Sequence, residues 1–245
     1  MDEARPAINL ERLVNHAQTL WGLEITPEQQ QAFKIMAAQL VEWNQHVNLT
    51  AITAPDQIEI RHYLDSLSVL RAVRPSKGCR VIDVGTGAGF PGLPLKIVRP
   101  KINLTCLEAT GKKVEYIQHV VNRIGLSGVS VLHGRAEEVG QQPAHREQYD
   151  VALARAVARL PVLAEYMLPL LKVGGKMIAL KGESAAQEIG TAENALQLLG
   201  GEMRQLIPIE LPEVAETHYL VLLEKVAASP TRYPRRPGVP GRKPL

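Results

Sequence analysis

Aromatic residues are scarce: six Tyr, two Trp and two Phe make up 4% of the 245 residues. That scarcity counts against a base-stacking RNA platform, which needs exposed rings. Cysteine is as rare. Cys79 and Cys106 lack metal-ligand spacing and are too few for a disulfide framework, so no metal site is expected. No apolar run approaches the roughly 18 residues of a membrane-spanning helix. Met1 to Pro6 lead into no apolar stretch, so no secretory signal is expected either. The expectation is a soluble cytoplasmic chain with no membrane partner. What is present, 45% hydrophobic residues with 22% charged, suffices to bury a core and excludes whole-chain disorder.

Charge is unevenly placed. Residues 229–245 hold Arg232, Arg235, Arg236, Arg242 and Lys243 with no acid, so this segment carries +5. With a total of +3, the rest of the chain is left at −2. Five prolines, Pro230, Pro234, Pro237, Pro240 and Pro244, interleave with these cations. The expectation is an extended, stiffened tail that resists collapse onto the body. It reads either as a solvated tail or as an arm that meets RNA phosphates. The competing reading has Tyr233 anchoring it onto the sheet.

Three helical stretches come first. Leu10, Leu13, Val14, Ala17, Leu20 and Trp21 recur at helical spacing. Thr26-Pro27-Glu28-Gln29 spells a helix start with a capping box, and Phe33, Met36, Ala37 and Leu40 form the stripe behind it. A third helix is expected near Pro55, with Ile60, Leu64 and Leu67 on one face. Residues 1–74 therefore read as a helical cap, 75–228 as the main domain and 229–245 as a basic tail. From Arg80 on, short β-branched runs alternate with helical patterns. Arg80–Val84, Asn103–Glu108, Val129–His133, Tyr149–Ala154 and Lys176–Lys181 are predicted strands of a mostly parallel sheet with helices on both faces. Met203–Leu211 and His218–Lys225 are predicted to close it as an antiparallel pair.

The chemistry begins where the first strand runs into Gly85-Thr86-Gly87-Ala88-Gly89-Phe90-Pro91-Gly92. Glycines there let a backbone approach a ligand, and a helix follows. Two registers fit: Gly87, Gly89 and Gly92 spell the dinucleotide pattern, while Gly85, Gly87 and Gly89 follow an acid, Asp83. A carboxylate beside a pyrophosphate is repelled, whereas one beside the ammonium and sulfonium of S-adenosylmethionine is attracted. Glu108, at the end of the second strand, stands where an acid accepts ribose hydroxyls, a placement that suits either cofactor. Asp83 as a turn cap and Glu108 as an exposed strand end are the structural alternatives.

The string from Asp83 to Gly92, continuing Leu93-Pro94-Leu95, resembles the small-subunit (16S) rRNA guanine-N7 methyltransferases, also called glucose-inhibited division protein B. Asn48-Leu49-Thr50, Arg61-His62 with Leu64-Asp65-Ser66, Gly111-Lys112-Lys113, Arg135-Ala136-Glu137-Glu138, Ala154-Arg155-Ala156, Ala179-Leu180-Lys181-Gly182 and Tyr233-Pro234-Arg235-Arg236 fall in family order, so the resemblance covers nearly the whole chain. It implies a Rossmann-like S-adenosylmethionine-dependent methyltransferase fold, a seven-stranded α/β sheet with an antiparallel final strand and a helical N-terminal extension. It also implies methyl transfer to N7 of guanine 527 in the 530 loop of 16S rRNA, on the rRNA or the small ribosomal subunit; a single chain acting alone is the default expectation, which the sequence does not fix. By matching positions, the cofactor residues are Asp83, Gly85, Gly87, Gly89, Phe90, Glu108, Ala109, Thr110, Ala136, Glu137 and Arg155. Ala154 departs from relatives that carry serine there.

The residues limit the reaction independently. The position after the fourth strand reads Ala154-Arg155-Ala156, without the Asn/Asp-Pro-Pro of exocyclic-amine methyltransferases. Cys106 is most simply a small buried hydrophobe, and neither cysteine sits where a ring-activating nucleophile belongs. Guanine N7 already holds an in-plane lone pair and needs no general base, so no catalytic residue is assigned; Arg155 and Lys181 are the pocket candidates. Arg61 and Asp65 fit a helical i,i+4 pair. The competing classes are an NAD(P)-dependent oxidoreductase, favoured by Gly87, Gly89 and Gly92, and a non-catalytic RNA-binding protein, favoured by the tail.

Overall fold

A computed structural model describes residues 8–245. The first helix, α1 (Glu11–Trp21), ends at Gly22, and α2 (Pro27–Trp43) begins at the expected capping box: Gln29 N–H donates to Thr26 Oγ1, and Gln29 Oε1 accepts from Thr26 N–H. The third helical stretch is continuous but irregular. It runs through α3 (Pro55–Gln57), a π-helical segment (Ile58–Leu64), α4 (Asp65–Leu67) and a 3-10 turn (Ser68–Arg71). Widened turns of this kind recur at functional sites because they re-aim side chains that a regular helix would carry elsewhere.

Strands β1 (Arg80–Val84), β2 (Asn103–Glu108), β3 (Val129–His133), β4 (Tyr149–Arg155), β5 (Leu171–Lys181), β6 (Gly201–Ile209) and β7 (His218–Lys225) form one sheet in the order β3-β2-β1-β4-β5-β7-β6. The first five are parallel; β7 runs antiparallel to both β5 and β6. The alternation of short apolar runs with helical patterns predicts this arrangement. β5 starts five residues before the expected Lys176: Leu171 pairs with Tyr149, the register then shifts, and Lys176 pairs with Val151. The glycines at 174 and 175 thus lie inside the strand's irregular start rather than ahead of it.

Helices α5 (Gly92–Val98), α6 (Gly111–Ile124), α7 (Ala136–Val139), α8 (Leu160–Met167), α9 (Ala185–Gly190) and α10 (Glu193–Leu199) cover the two faces. One face shares a continuous core with the N-terminal helices, including Leu13, Phe33, Tyr63, Leu93, Tyr116 and Leu153. The other packs α8 and α10 against Ala152, Met177 and Leu223. Among the described residues no helix is long and apolar enough to cross a membrane.

The topology decides where chemistry is possible. Parallel strands all end on one edge of the sheet, so Val84, Glu108, His133, Arg155 and Lys181 share that edge. Because β7 is reversed, its first residue, His218, returns to the same edge, next to Tyr219, which pairs with Lys181.

The tail departs from expectation. It does not stand away from the body but lies packed on it, as the anchoring alternative anticipated. Tyr233 is buried. Arg146 donates to the carbonyls of Ser229 and Tyr233 at 2.8 and 2.7 Å, and Arg235 grips Glu165 with contacts of 2.6–3.1 Å. Glu165 is wholly buried, so the carboxylate binds the tail in exchange for its own desolvation. The short helix α11 (Val239–Arg242) follows. Proline content signals an absence of core-forming periodicity, and these side-chain clamps supply order without any.

Arg235→Ala leaves the Glu165 carboxylate buried without its partner, a loss of about 3 kcal/mol. Thermal unfolding is expected to show a melting temperature several degrees below wild type; an unchanged value would mean that the clamp does not hold the tail.

Candidate functional site

The turn after β1 is built around Asp83. Its Oδ2 accepts from Thr86 Oγ1 at 2.5 Å and from Gly92 N–H at 2.8 Å, joining the strand to the first residue of α5. Any side chain at position 92 would strike that carboxylate, since a Cβ would lie 2.8 Å from Oδ2. Asp83 is fully buried and lines neither cavity of the site; its Oδ1 has no partner. Burial pushes its acid up to about 6, against the hydrogen bonds that favour the anion. Asp83 thus caps the turn through Oδ2, with Oδ1 left unpaired.

Gly85 sits at φ 67°, and a Cβ there would meet Val157 Cγ2 at 2.8 Å. Gly87 is open: a Cβ would come no closer than 4.0 Å to the Gly85 carbonyl, leaving room for a ligand above it. Glu108 Oε2 accepts from Gly87 N–H at 3.0 Å and Oε1 from Thr110 N–H at 2.9 Å. Each carboxylate oxygen keeps further accepting capacity. The acid thus holds the glycine turn and remains a hydrogen-bond acceptor for a bound hydroxyl.

Two cavities, of about 660 and 670 Å³, share Gly85, Glu108 and Val157 in their walls. The first extends toward the ends of β4 and β5 and includes Gly87, Phe90, Arg155 and Lys181. The second extends toward β3 and includes Ala109, Ala136 and Glu137. Eight of the eleven expected cofactor residues line this double cleft. Asp83, Gly89 and Thr110 do not: Gly89 packs toward Leu93, and Thr110 caps α6 and donates to Glu108.

The first cavity has a wall that spacing alone did not reveal. Arg155 Nη1 donates to Asp65 Oδ2 at 2.9 Å and to the Arg61 carbonyl at 3.1 Å, and Nη2 lies 3.1 Å from His62 Nδ1. A guanidinium only donates, so Nδ1 of His62 accepts, and its Nε2 proton points to Thr50 Oγ1 at 3.0 Å. Burial, then the Arg155 charge, lowers His62 to about 3, so the ring is neutral. It stacks on Phe90 with centroids 4.5 Å apart, and the Arg155 guanidinium lies 4.9 Å from the same ring. Asp65 Oδ1 receives His218 Nδ1 at 2.9 Å. Burial raises the Asp65 acid, but His218 and Arg155 outweigh it and hold the carboxyl below its ordinary range.

Asp65 therefore does not pair with Arg61, as helical spacing predicts; Arg61 reaches Glu216 at 3.7 Å instead. The π-helical segment between them breaks the i,i+4 register. Lys181 lines the cavity, yet its ammonium is committed to the Ala158 carbonyl at 2.5 Å and to Glu188 at 2.7 Å, which removes it as a free pocket cation. Thr50 and His62 stood in family order without assigned roles, Asp65 only as the expected partner of Arg61, and His218 carried no signal beyond opening a strand.

Two of the potential bases in the first cavity are occupied, whereas His218, which also lines it, engages only Nδ1, against Asp65. The His62 lone pair is taken by Arg155, and Asp65 is held by Arg155 and His218. Burial pushes the Cys106 thiol far up.

Comparison with known proteins agrees with this geometry. The model of a family described as rRNA small subunit methyltransferase G (GidB) matches residues 29–213. A relative named ribosomal RNA small subunit methyltransferase G from Lactobacillus delbrueckii subsp. bulgaricus is 46% identical over 233 residues, spanning 94% of this chain and 98% of its own. One from Alkaliphilus metalliredigens is 47% identical, spanning 91% and 94%, and one from Chloroflexus aggregans 45%, spanning 97% and 99%. Among solved structures, a SAM-dependent methyltransferase from Aquifex aeolicus aligns with TM-score 0.52 at 19% identity over 70% of this chain and 94% of its own. The YcgJ protein from Bacillus subtilis aligns with TM-score 0.53 at 14% identity over 68% and 100%. The fold is the Rossmann-like methyltransferase fold.

The Asp65–His218 pair gives stability a pH dependence. The hydrogen bond to Asp65 raises His218 above its ordinary 6.5, against burial and the Arg61 charge. A raised folded value means that this contribution is full below the unfolded value and fades as pH rises through the folded one. Urea unfolding from about pH 6 to about pH 9 is expected to show wild type and His218→Gln converging as pH rises. A stability gap that widens with pH would refute the charged pair.

Proposed function

The chain belongs to the rRNA small subunit methyltransferase G family, and on that premise we propose that it transfers the methyl group of S-adenosylmethionine to N7 of guanine 527 in 16S rRNA. It is an S-adenosylmethionine-dependent methyltransferase; family membership displaces both the oxidoreductase and the non-catalytic readings. The N7 assignment follows from family membership, and the observation that supports it is the double cleft at the ends of the parallel strands, lined by eight of the eleven expected cofactor residues. Displacement at a sulfonium methyl, the chemistry that bound S-adenosylmethionine supplies, needs no proton taken from N7. With that group bound, formation of the N7–C bond would accompany breaking of the C–S bond, and the positive charge would pass to the base.

The chain's own contributions are positioning and exclusion of water. Glu108, between the two cavities, suits the ribose hydroxyls. Ala109, Ala136 and Glu137 suit the adenine, and Gly85, Gly87, Phe90 and Arg155 suit the methionine side. Asp83, Gly89 and Thr110 shape the turn beneath. The open space above Gly87 and the accepting capacity of Glu108 fit such a molecule. We assign residues 1–74 to a cap that supplies Thr50, His62 and Asp65 to the acceptor cavity, 75–228 to the methyltransferase domain, and 229–245 to the tail. The activity is placed on a single chain in the cytoplasm, with 16S rRNA or the small subunit as substrate.

Labelled S-adenosylmethionine, incubated with the protein and with 16S rRNA or small subunits, is expected to mark one guanine that then becomes sensitive to borohydride and aniline cleavage. Label on a guanine resistant to that cleavage would refute the N7 assignment. For the cofactor, Glu108→Ala is expected to weaken S-adenosylhomocysteine binding by about 1–3 kcal/mol in calorimetry. Unchanged affinity would move the ribose contact elsewhere.

A further inference from the structure

Part of the wall of the second cavity comes from the far end of the chain. After the Arg235–Glu165 clamp, Gly238 N–H donates to Glu137 Oε1 at 2.9 Å. The turn through α11 then brings Gly241 and Pro244 into the wall of the cavity that also contains Glu108, Ala109 and Ala136. Both tail residues are exposed, although the segment that carries them is tied down on either side. Arg235 Nη2 donates to the Lys243 carbonyl at 2.8 Å, and Pro240 is buried. A rigid segment that holds an apolar ring out toward a cavity is the arrangement a flat aromatic ligand requires. A purine buries its two faces against apolar groups, and the rest of this wall supplies them from Val157, Val162 and Ala136.

We propose that residues 238–245 are part of the binding site for the adenosine half of S-adenosylmethionine: Pro244 and the Gly241 backbone pack against the adenine, and Gly238 fixes Glu137 at its edge. This rests on the cofactor assignment above. It also reverses the expectation that every cofactor residue lies between Asp83 and Arg155. The tail has a part in cofactor binding because the clamps at Tyr233 and Arg235 return it to the β3 side of the cleft, where the second cavity opens.

The test compares three proteins: the full chain, a chain ending at Pro237, and the full chain with Pro244→Glu. The truncation keeps Tyr233 and Arg235, and the point substitution alters only an exposed ring. Calorimetry measures S-adenosylhomocysteine and 5′-methylthioadenosine, the second lacking the amino-acid portion. Both altered proteins are expected to lose at least about fivefold in affinity for both ligands, roughly 1 kcal/mol. If the truncated chain does not fold, Pro244→Glu decides alone. A smaller loss, or a loss for S-adenosylhomocysteine with 5′-methylthioadenosine unaffected, would overturn the proposal. Weakened rRNA binding with both small-ligand affinities intact would overturn it in favour of an RNA arm. Failure of the full chain to bind S-adenosylhomocysteine would instead strike the cofactor assignment, so the two failures are distinguishable.

Discussion

One buried carboxylate holds the acceptor side of this molecule together. Asp65 comes from the N-terminal helices, Arg155 from the end of β4 and His218 from the start of β7, and the acid joins them through contacts of 2.9 Å on each oxygen. A carboxylate buried to this depth is tolerable only with such partners. The Arg155 guanidinium, so fixed, holds the tautomer of His62 and covers one side of Phe90. The first cavity therefore depends on a bond between parts of the chain 90 and 153 residues apart. The N-terminal helices then belong to the site as much as to the core.

That same bond marks where the sequence ceases to be readable. The strands were legible because β-branched runs of five or six residues fill a buried parallel sheet, and nothing distant competes with that local preference. The glycine turn was legible because backbone geometry demands glycine there. Asp83 was legible as important but not in its local contacts, since both a turn cap and a cation partner stand two residues ahead of such a turn. Its burial under Gly92 shows the first of these roles. His218 offered nothing: a histidine opening a strand gains meaning solely from the reversal of β7, a property of sheet order. Arg61 and Asp65 show the converse error, because helical spacing holds only while the helix is α, and no local signal announces the widened turn at Ile58–Leu64.

The electrostatics of the cleft follow from how its groups are paired. Asp65, Glu108 and Glu188 all accept hydrogen bonds from named partners. His62 is neutral and its accepting nitrogen is used. Arg155 and His218 bring positive charge to the acceptor wall, and Lys113 lines the same cavity. A substrate strand of RNA brings phosphates, which such a surface attracts. A nucleophile that already owns its lone pair needs nothing else from the wall but position.

The tail shows why composition misleads about order. Proline and arginine in alternation describe an extended segment when every cation is solvated, and +5 against −2 gives only weak general attraction in water. Two features invert that reading. A wholly buried carboxylate, Glu165, binds Arg235 far more firmly than surface charge would, because the alternative is an unpaired charge in the core. Proline, having little backbone freedom to lose, makes the segment cheap to order once such an anchor exists. The remaining cations, Arg232, Arg236, Arg242 and Lys243, stay exposed on the ordered segment. Order in this segment is set by a partner 70 residues away, and the same contact brings a proline ring to the wall of a cavity.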